Sequence, residues 1–401
     1  MDLTGAVRRQ PLRVGPRWSH VLGVRVGRPG MSAPDAGWVI GSPRQARRMV
    51  ASGVWGRSWL ITPVALALVL SGCTPDPLDQ KRSASAEVLE AVVPDDEPGC
   101  SAAVAIDGDV VWAQARGLAD VDTGAPLETS TPIHIASVGK QFTAMAVLML
   151  AEQGALSVED SPADHLDGLP PWTEDLTLND LMHHTSGIAE FLEVPLSDFG
   201  PPPLNNGDIL EFVRTSPNAQ PGTPGTWSYS NTNYTLLADI IAEVTGVEFD
   251  EWMQANVFTP LELEARIGPQ TPSDPIGYEA VGEGFLVAEP FVWDVVGPGF
   301  VTMTPSELAR WGDQLRAPSL VSDDTLDDAL SDGVPVGDGW SYGPGLLVAE
   351  DGTLVHDGAG AGHETNFGVS DDRHTTIAIS CNHDGLHLPT VLEDLAAVWI
   401  D

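Results

Sequence analysis

Lysine is nearly absent from this chain: 401 residues hold two, Lys81 and Lys140. Lysine and arginine together number 19 against 57 acids, a formal net charge of −38. Such a balance repels polyanions and disfavours nucleic acid and anionic membrane surfaces as direct partners. Cysteine is scarce too, three in all, and none stands in the paired spacing of a metal site. A nucleotide-binding glycine fingerprint and internal repeats are both missing. Neither a cofactor nor a metal is therefore expected. The run WLITPVALALVLSGC, ending at Cys73, has an apolar core of about a dozen residues, too short to span a bilayer as a helix. The length suffices for one large or two ordinary domains with a sizeable core.

What charge there is lies unevenly. Residues 1–73 hold ten Arg against two acids, and residues 74–401 hold nine Lys and Arg against fifty-five acids. Salt shortens the mutual repulsion of so many carboxylates to a Debye length of about 3 Å at 1 M. High-salt surroundings are thus the expected habitat, with an ordinary acidic secreted protein as the alternative. The short apolar run after Arg57 fits the h-region of a signal peptide, and Leu70-Ser71-Gly72-Cys73 resembles a bacterial lipobox. That resemblance implies cleavage before Cys73, a diacylated Cys73, and a membrane-anchored lipoprotein facing the periplasm or the cell exterior. Residues 1–72 then read as leader and signal peptide, with the true start at Met49 or Met31, or a long leader using Arg47-Arg48 as a twin-arginine signal. Residues 73–98 read as the lipidated cysteine and a polar tether holding at most one short helix.

The folded domain is expected over residues 99–401. Residues 101–106 and 110–116 are strand-like around Asp107-Gly108-Asp109, a hairpin signal. Residues 155–290 are rich in Pro, Trp and polar loops, with helical runs at 177–183, 209–214 and 234–244. Thr304 to Leu315 reads as a helix with Thr304 as cap, Pro305 at the first helical position and Glu307 at the third. Strands follow at 341–349, 352–356, 364–369 and 374–381, then a helix at about 388–400. The order of strands, helices, strands and helix predicts an α/β (α+β) fold. In it an antiparallel sheet of about five strands is built from both chain ends and flanked by helices, with a mostly helical lobe inserted.

Ser137 and Lys140 stand three apart in HIASVGKQFTAMAVLMLAEQG, where an apolar periodic run begins, so both belong to the first turn of one helix and face the same way. A serine hydroxyl becomes a nucleophile when a neighbouring base takes its proton, and a lysine is such a base when an apolar, cation-poor setting lowers its pKa. The unsatisfied N–H groups of a helix start can hold a developing oxyanion. Tyr229 and Asn231, in PGTWSYSNTNY, supply a proton carrier, given a nearby cation to lower the tyrosine's pKa, and an amide able to bond both a substrate amide and the lysine. His356-Asp357-Gly358 lies on a predicted strand whose glycines would admit a substrate backbone. His183 and His184 read as lobe scaffolding, and His363, His374, His383 and His387 as surface or loop histidines. Cys100 and Cys381 are either a disulfide or two separate buried thiols.

With SVGKQFTA, LMHHTSG, YSNTNYTLLADIIAEVTG, GFVTMTPSELARW and HDGAGAGH in this order, the chain resembles the serine β-lactamase and penicillin-binding-protein-like hydrolases, in the branch related to class C β-lactamases that includes D,D-peptidases, D-amino-acid amidases and esterases. The likeness covers about residues 99 to 400. It implies that Ser137 is the acylated nucleophile, Lys140 activates it, Tyr229 relays a proton to the leaving group, and Asn231 holds the substrate amide. It places His356 first and Gly358 third in the third motif, and it makes the oxyanion hole from the backbone N–H groups of Ser137 and Ala359. Strand order in such a fold sets the first strand antiparallel to the last and brings Cys100 against Cys381. A disulfide there requires alpha carbons within about 7 Å. Where many relatives carry lysine in the third motif this chain has His356, mostly neutral above pH 7. A neutral or cationic ester or amide, small molecule or peptide, is therefore the expected substrate. A β-lactam or peptidoglycan peptide is the alternative, and a non-catalytic binding or sensor module the third.

Overall fold

A computed structural model describes residues 76–282, 284–291 and 293–400. The expected leader and signal peptide and the expected lipidation site, Cys73, lie outside the described residues. From Pro77 onward the chain is one unit organised on an eight-stranded antiparallel sheet. The N-terminal part supplies β1 (Cys100–Ile106) and β2 (Asp109–Arg116). The C-terminal part supplies β3 (Val334–Gly337), β4 (Trp340–Tyr342), β5 (Leu347–Ala349), β6 (Leu354–Gly360), β7 (His363–Val369) and β8 (Thr375–Cys381). Strands run in the order β3-β4-β5-β6-β7-β8-β1-β2, so the two chain ends meet where β8 pairs β1. The sheet has eight strands where about five were expected. One addition is the short β3, too brief to show alternation in sequence. What reads as one strand over 341–349 is two, parted by a turn at Gly343 to Leu346 with Gly345 at φ 74.

Local chemistry explains the central pair. Asp107 (φ 52) and Gly108 (φ 83) both take positive φ, the two-residue turn whose twist suits a hairpin. Strand β1, CSAAVAI, is buried along nearly its whole length because both faces are covered. Ala103 and Ala105 face the core shared with the helical lobe, and Ala102 and Val104 face a second core under the terminal helices. Cys100 and Cys381 stand opposite each other in register and are disulfide-bonded, with alpha carbons 4.0 Å apart.

The second core corrects the expected tether. Residues 77–92 form α1 (Pro77–Val92), docked on β2 and on the C-terminal helix Leu388–Trp399. Leu89 is fully buried, Trp399 Nε1 donates to Ser85 Oγ at 2.7 Å, and Lys81 Nζ donates to the Trp399 carbonyl at 3.1 Å. The helix looks polar in sequence because only one narrow stripe of it is buried, and burial of that stripe needs a partner from the far end of the chain.

The helical lobe lies between β2 and β3. It includes α2 (Lys140–Glu152), α3 (Leu178–Met182), α4 (Asn206–Thr215) and α5 (Asn231–Thr245), and α6 (Pro305–Trp311) follows it. The expected box closes α6: Thr304 Oγ1 accepts from the Glu307 N–H at 3.2 Å, and Glu307 Oε2 accepts from the Thr304 N–H at 2.9 Å. The anticipated helix to Leu315 tightens into a 3-10 turn at Gly312–Leu315.

Candidate active site

The site is built on the turn that leads into α2. A small sheet of Ile133–His134, Val301–Met303 and Arg266–Ile267 delivers the chain to it, and the Ile135 N–H donates to the Val301 carbonyl at 2.9 Å. Ala136 then takes φ 48, a conformation L residues rarely adopt, and Ala136–Gly139 forms one 3-10 turn running straight into α2. Of residues 133–140 only Ser137 is partly exposed. Strand β6 passes directly behind. A Cβ at Gly358 would stand 2.4 Å from the Ile135 carbonyl oxygen and 2.8 Å from the Ser137 nitrogen. The room left by that glycine is filled by the nucleophile's own turn, so the expectation that it admits a substrate backbone is corrected. Gly360 serves an aromatic in the same way: a Cβ there would meet the Phe291 ring at 2.7 Å.

Lys140 is fully buried, and its Nζ reaches three acceptors: Asn231 Oδ1 at 2.6 Å, the Pro298 carbonyl at 2.8 Å and Ser137 Oγ at 3.2 Å. Three acceptors match the three protons of an ammonium. A neutral amine has two protons and a lone pair; with the protons kept on Asn231 and Pro298, the lone pair faces the serine and accepts its O–H. Burial favours that state, lowering the lysine pKa from 10.5 to about 7 against the opposing charges of Glu190 and Asp357.

Tyr229 flanks this pair from the lobe, with the lysine nitrogen 4.8 Å from its ring centre. Its hydroxyl is buried and faces the Ser137 hydroxyl without a well-formed hydrogen bond. Burial drives its pKa well above the ordinary value, only partly offset by the Ser137 hydroxyl. The condition set for the tyrosine, a pKa lowered by a neighbouring cation, is not met: burial outweighs the opposing influence, and Tyr229 is a phenol at neutral pH. The tyrosine is held by the ring of His184, 4.4 Å away, whose Nδ1 accepts the Ser230 N–H at 3.1 Å. His184 thus packs directly on the site, while His183 bonds the Asn179 carbonyl at 2.9 Å inside the lobe.

His356 is 1% exposed and engaged on both nitrogens. Nδ1 lies 2.6 Å from the Asp357 carbonyl, an acceptor, so Nδ1 carries the proton, and Nε2 accepts from Tyr342 Oη at 3.1 Å. Burial first, then Lys140, pushes its pKa down to about 3. It is a neutral residue behind Tyr229 that fixes Tyr342, and it offers no positive charge to a substrate. Asp357 and Ala359, next along β6, are half-buried on the opposite side of the strand from Gly358. Of the histidines expected at the surface or in loops, His363 is buried on β7, and His383, in the loop after β8, is buried with Nε2 3.6 Å from Cys100 Sγ.

Two participants escaped the sequence. The Pro298 carbonyl is backbone and carries no residue signature. Glu190 follows HHTSG in a stretch without periodicity, so its sequence context carries no signal. Its Oε2 accepts the Asn231 N–H at 2.5 Å and its Oε1 the Leu192 N–H at 2.9 Å, across the N-terminus of α5. Burial raises its pKa, with those bonds and Lys140 opposing.

The family model described as Beta-lactamase matches residues 88–397. A penicillin-binding protein of Bacillus subtilis (strain 168) is 28% identical over 301 residues, covering 68% of this chain and 66% of the relative. A D-aminopeptidase of Gluconobacter oxydans (strain 621H) is 30% identical over 319 residues, covering 75% and 59%. The chain thus spans about three fifths to two thirds of the length of these curated relatives. Among solved structures, the D-amino acid amidase from Ochrobactrum anthropi SV3 complexed with D-phenylalanine superposes with a TM-score of 0.68 at 20% identity, covering 80% of this chain and 98% of that one.

Proposed function

The chain belongs to the beta-lactamase family, and from that premise we propose that it is an exported, lipid-anchored serine hydrolase that cleaves an amide or ester through a Ser137 acyl-enzyme. The observation that carries this reading is the buried, cation-poor setting of Lys140 with its nitrogen 3.2 Å from Ser137 Oγ. Neutral Lys140 takes the serine proton as Oγ bonds to the substrate carbonyl carbon. The oxyanion forms against the backbone N–H of Ser137 and that of Ala359; loss of one such donor typically costs about 3 kcal/mol. As the carbonyl carbon releases the leaving group, Tyr229 gives up its phenolic proton to it and regains one from the Lys140 ammonium. Water then loses a proton to the same pair and displaces Ser137, which recovers its hydrogen. Asn231 orients the substrate amide, and Cys73 carries the lipid that keeps the enzyme at the periplasmic or outer face of a membrane. The acidic surface suits a saline medium.

Neutral His356 argues for a neutral or cationic substrate over β-lactams and free D-Ala termini, whose carboxylates would find no cation there. The test is labelling of Ser137 by a fluorophosphonate or penicillin probe, with Ser137→Ala as control, followed by p-nitrophenyl esters, nitrocefin and D-Ala-D-Ala peptides as substrates. A stoichiometric adduct with ester or amide turnover supports the reading. Fast nitrocefin or D-Ala-D-Ala turnover moves it to β-lactam or peptidoglycan chemistry, and absence of any adduct leaves a non-catalytic binding module.

A further inference from the structure

The chain has four tyrosines, and three of them, Tyr229, Tyr234 and Tyr342, surround the His184 ring at 4.4, 5.2 and 4.7 Å between ring centres. Two of the three are secured by their hydroxyls. Tyr234 Oη donates to the Met182 carbonyl at 2.8 Å, and Tyr342 Oη donates to His356 Nε2 at 3.1 Å, with His356 itself tied to β6 through Nδ1. Tyr229 has no such tether, for its hydroxyl lacks a well-formed hydrogen bond. A phenol that is to pass its proton to a leaving group cannot be committed elsewhere, so packing of its ring has to set its aim. His184 lies against one side of that ring, and Tyr342 stands at right angles to it, with centres 6.4 Å apart and planes at 85°. Aromatic pairs attract in this arrangement at about 4.5–7 Å.

Tyr342 is fully buried, and its own place is set by the helix that carries the base. The turn joining β4 to β5 holds Gly345 at φ 74, where a Cβ would stand 2.8 Å from both the Lys140 carbonyl carbon and the Gln141 nitrogen. The two short strands are thus seated on the start of α2, and Tyr342 joins that seat to Tyr229. We propose that Tyr342 is a positioning residue for proton transfer to the leaving group: held through its hydroxyl by His356, its ring keeps the Tyr229 phenol aimed beside Ser137. His356 then serves the reaction without touching the reacting atoms. In the step concerned the bond to the leaving oxygen or nitrogen breaks, that atom keeps the electron pair and takes the Tyr229 proton, and the Lys140 ammonium returns a proton to Tyr229. This rests on the hydrolase reading above and concerns departure of the leaving group, not activation of Ser137.

The full-length protein is labelled at Ser137 with two methylphosphonates that differ only in leaving group, p-nitrophenolate or phenolate. Phenolate, as basic as tyrosine at a pKa of about 10, needs a proton to leave, whereas the far less basic p-nitrophenolate does not. The quantity read is the p-nitrophenyl rate divided by the phenyl rate, which cancels any general loss of active enzyme. Tyr229→Phe should raise this ratio at least about tenfold. Tyr342→Leu should raise it at least about fivefold with the p-nitrophenyl rate held within about threefold, and Tyr342→Phe, which keeps the ring and loses its tie to His356, should fall between wild type and Tyr342→Leu. In a Tyr229→Phe background Tyr342→Leu should change the ratio by less than about twofold, because no proton transfer is left to position. A ratio unchanged in Tyr342→Leu, both rates falling together, an equal rise in the Tyr229→Phe background, or a ratio indifferent to Tyr229→Phe overturns the proposal. Should Tyr342→Leu fail to unfold cooperatively in urea, Tyr342→Phe decides alone, and a wild-type ratio in it overturns the proposal. If the aryl phosphonates are inert although a fluorophosphonate labels Ser137, the same ratio is read from turnover of p-nitrophenyl and phenyl acetate. Absence of labelling by every probe strikes at the hydrolase reading instead.

Discussion

The pH dependence of Ser137 reactivity tests the site most directly, because it reads the lysine's depth of burial. An ordinary lysine at pH 7 has about one molecule in 3000 neutral, whereas a pKa of about 7 leaves about half neutral. Since only the neutral amine accepts the serine proton, the labelling rate with a non-titrating fluorophosphonate should rise about tenfold per pH unit below pH 6 and level off above about pH 8. The groups facing Lys140 all bear on the limb. Glu190 and Asp357 raise the lysine pKa, burial lowers it, Tyr229 and Tyr234 are unionised, and His184 and His356 are neutral. Asp357 itself titrates at about 7, raised by burial, so its charge appears as the lysine loses its own. Asp357→Asn removes that second titration and should shift the limb to lower pH, since a carboxylate that favoured the ammonium is gone. Rates should be taken at constant ionic strength with excess probe. A rate that keeps climbing tenfold per unit to pH 9 or beyond would show a solvated lysine, and a flat profile from pH 5 to 9 would show that no amine titrates; either result refutes the reasoning.

Gly358→Ala places a methyl against the Ile135 carbonyl and the Ser137 nitrogen, so it should cost about 1–3 kcal/mol in urea unfolding and at least about 100-fold in labelling rate; near-normal labelling would mean the turn can retreat from β6. Leu89→Ala should lower stability by about 2–5 kcal/mol in urea unfolding, as expected for a fully buried leucine and not for a tether residue. Replacing Cys100 and Cys381 together by Ser removes a cross-link between residues 281 apart in sequence, and should cost about 2–5 kcal/mol without altering the labelling pH profile, read by chemical unfolding under non-reducing conditions.

Sequence alone determined the pairing of Ser137 with Lys140, because three residues make nearly one turn and the apolar period after them is unambiguous. It determined the Asp107-Gly108 hairpin and the Thr304 cap for the same reason: each is local chemistry written within four residues. The order of strands and helices limited the fold, since strands from both ends had to share one sheet. Only the tertiary structure decided how deep the lysine sits and hence that it titrates near neutrality, for desolvation is a property of everything packed around a group. It also turned His356 toward Tyr342, gave the space at Gly358 to the nucleophile's turn, docked α1 on the last helix and brought Glu190 to Asn231. Each of these joins segments far apart in the chain, and no period or spacing along a sequence encodes which distant surface will cover a residue.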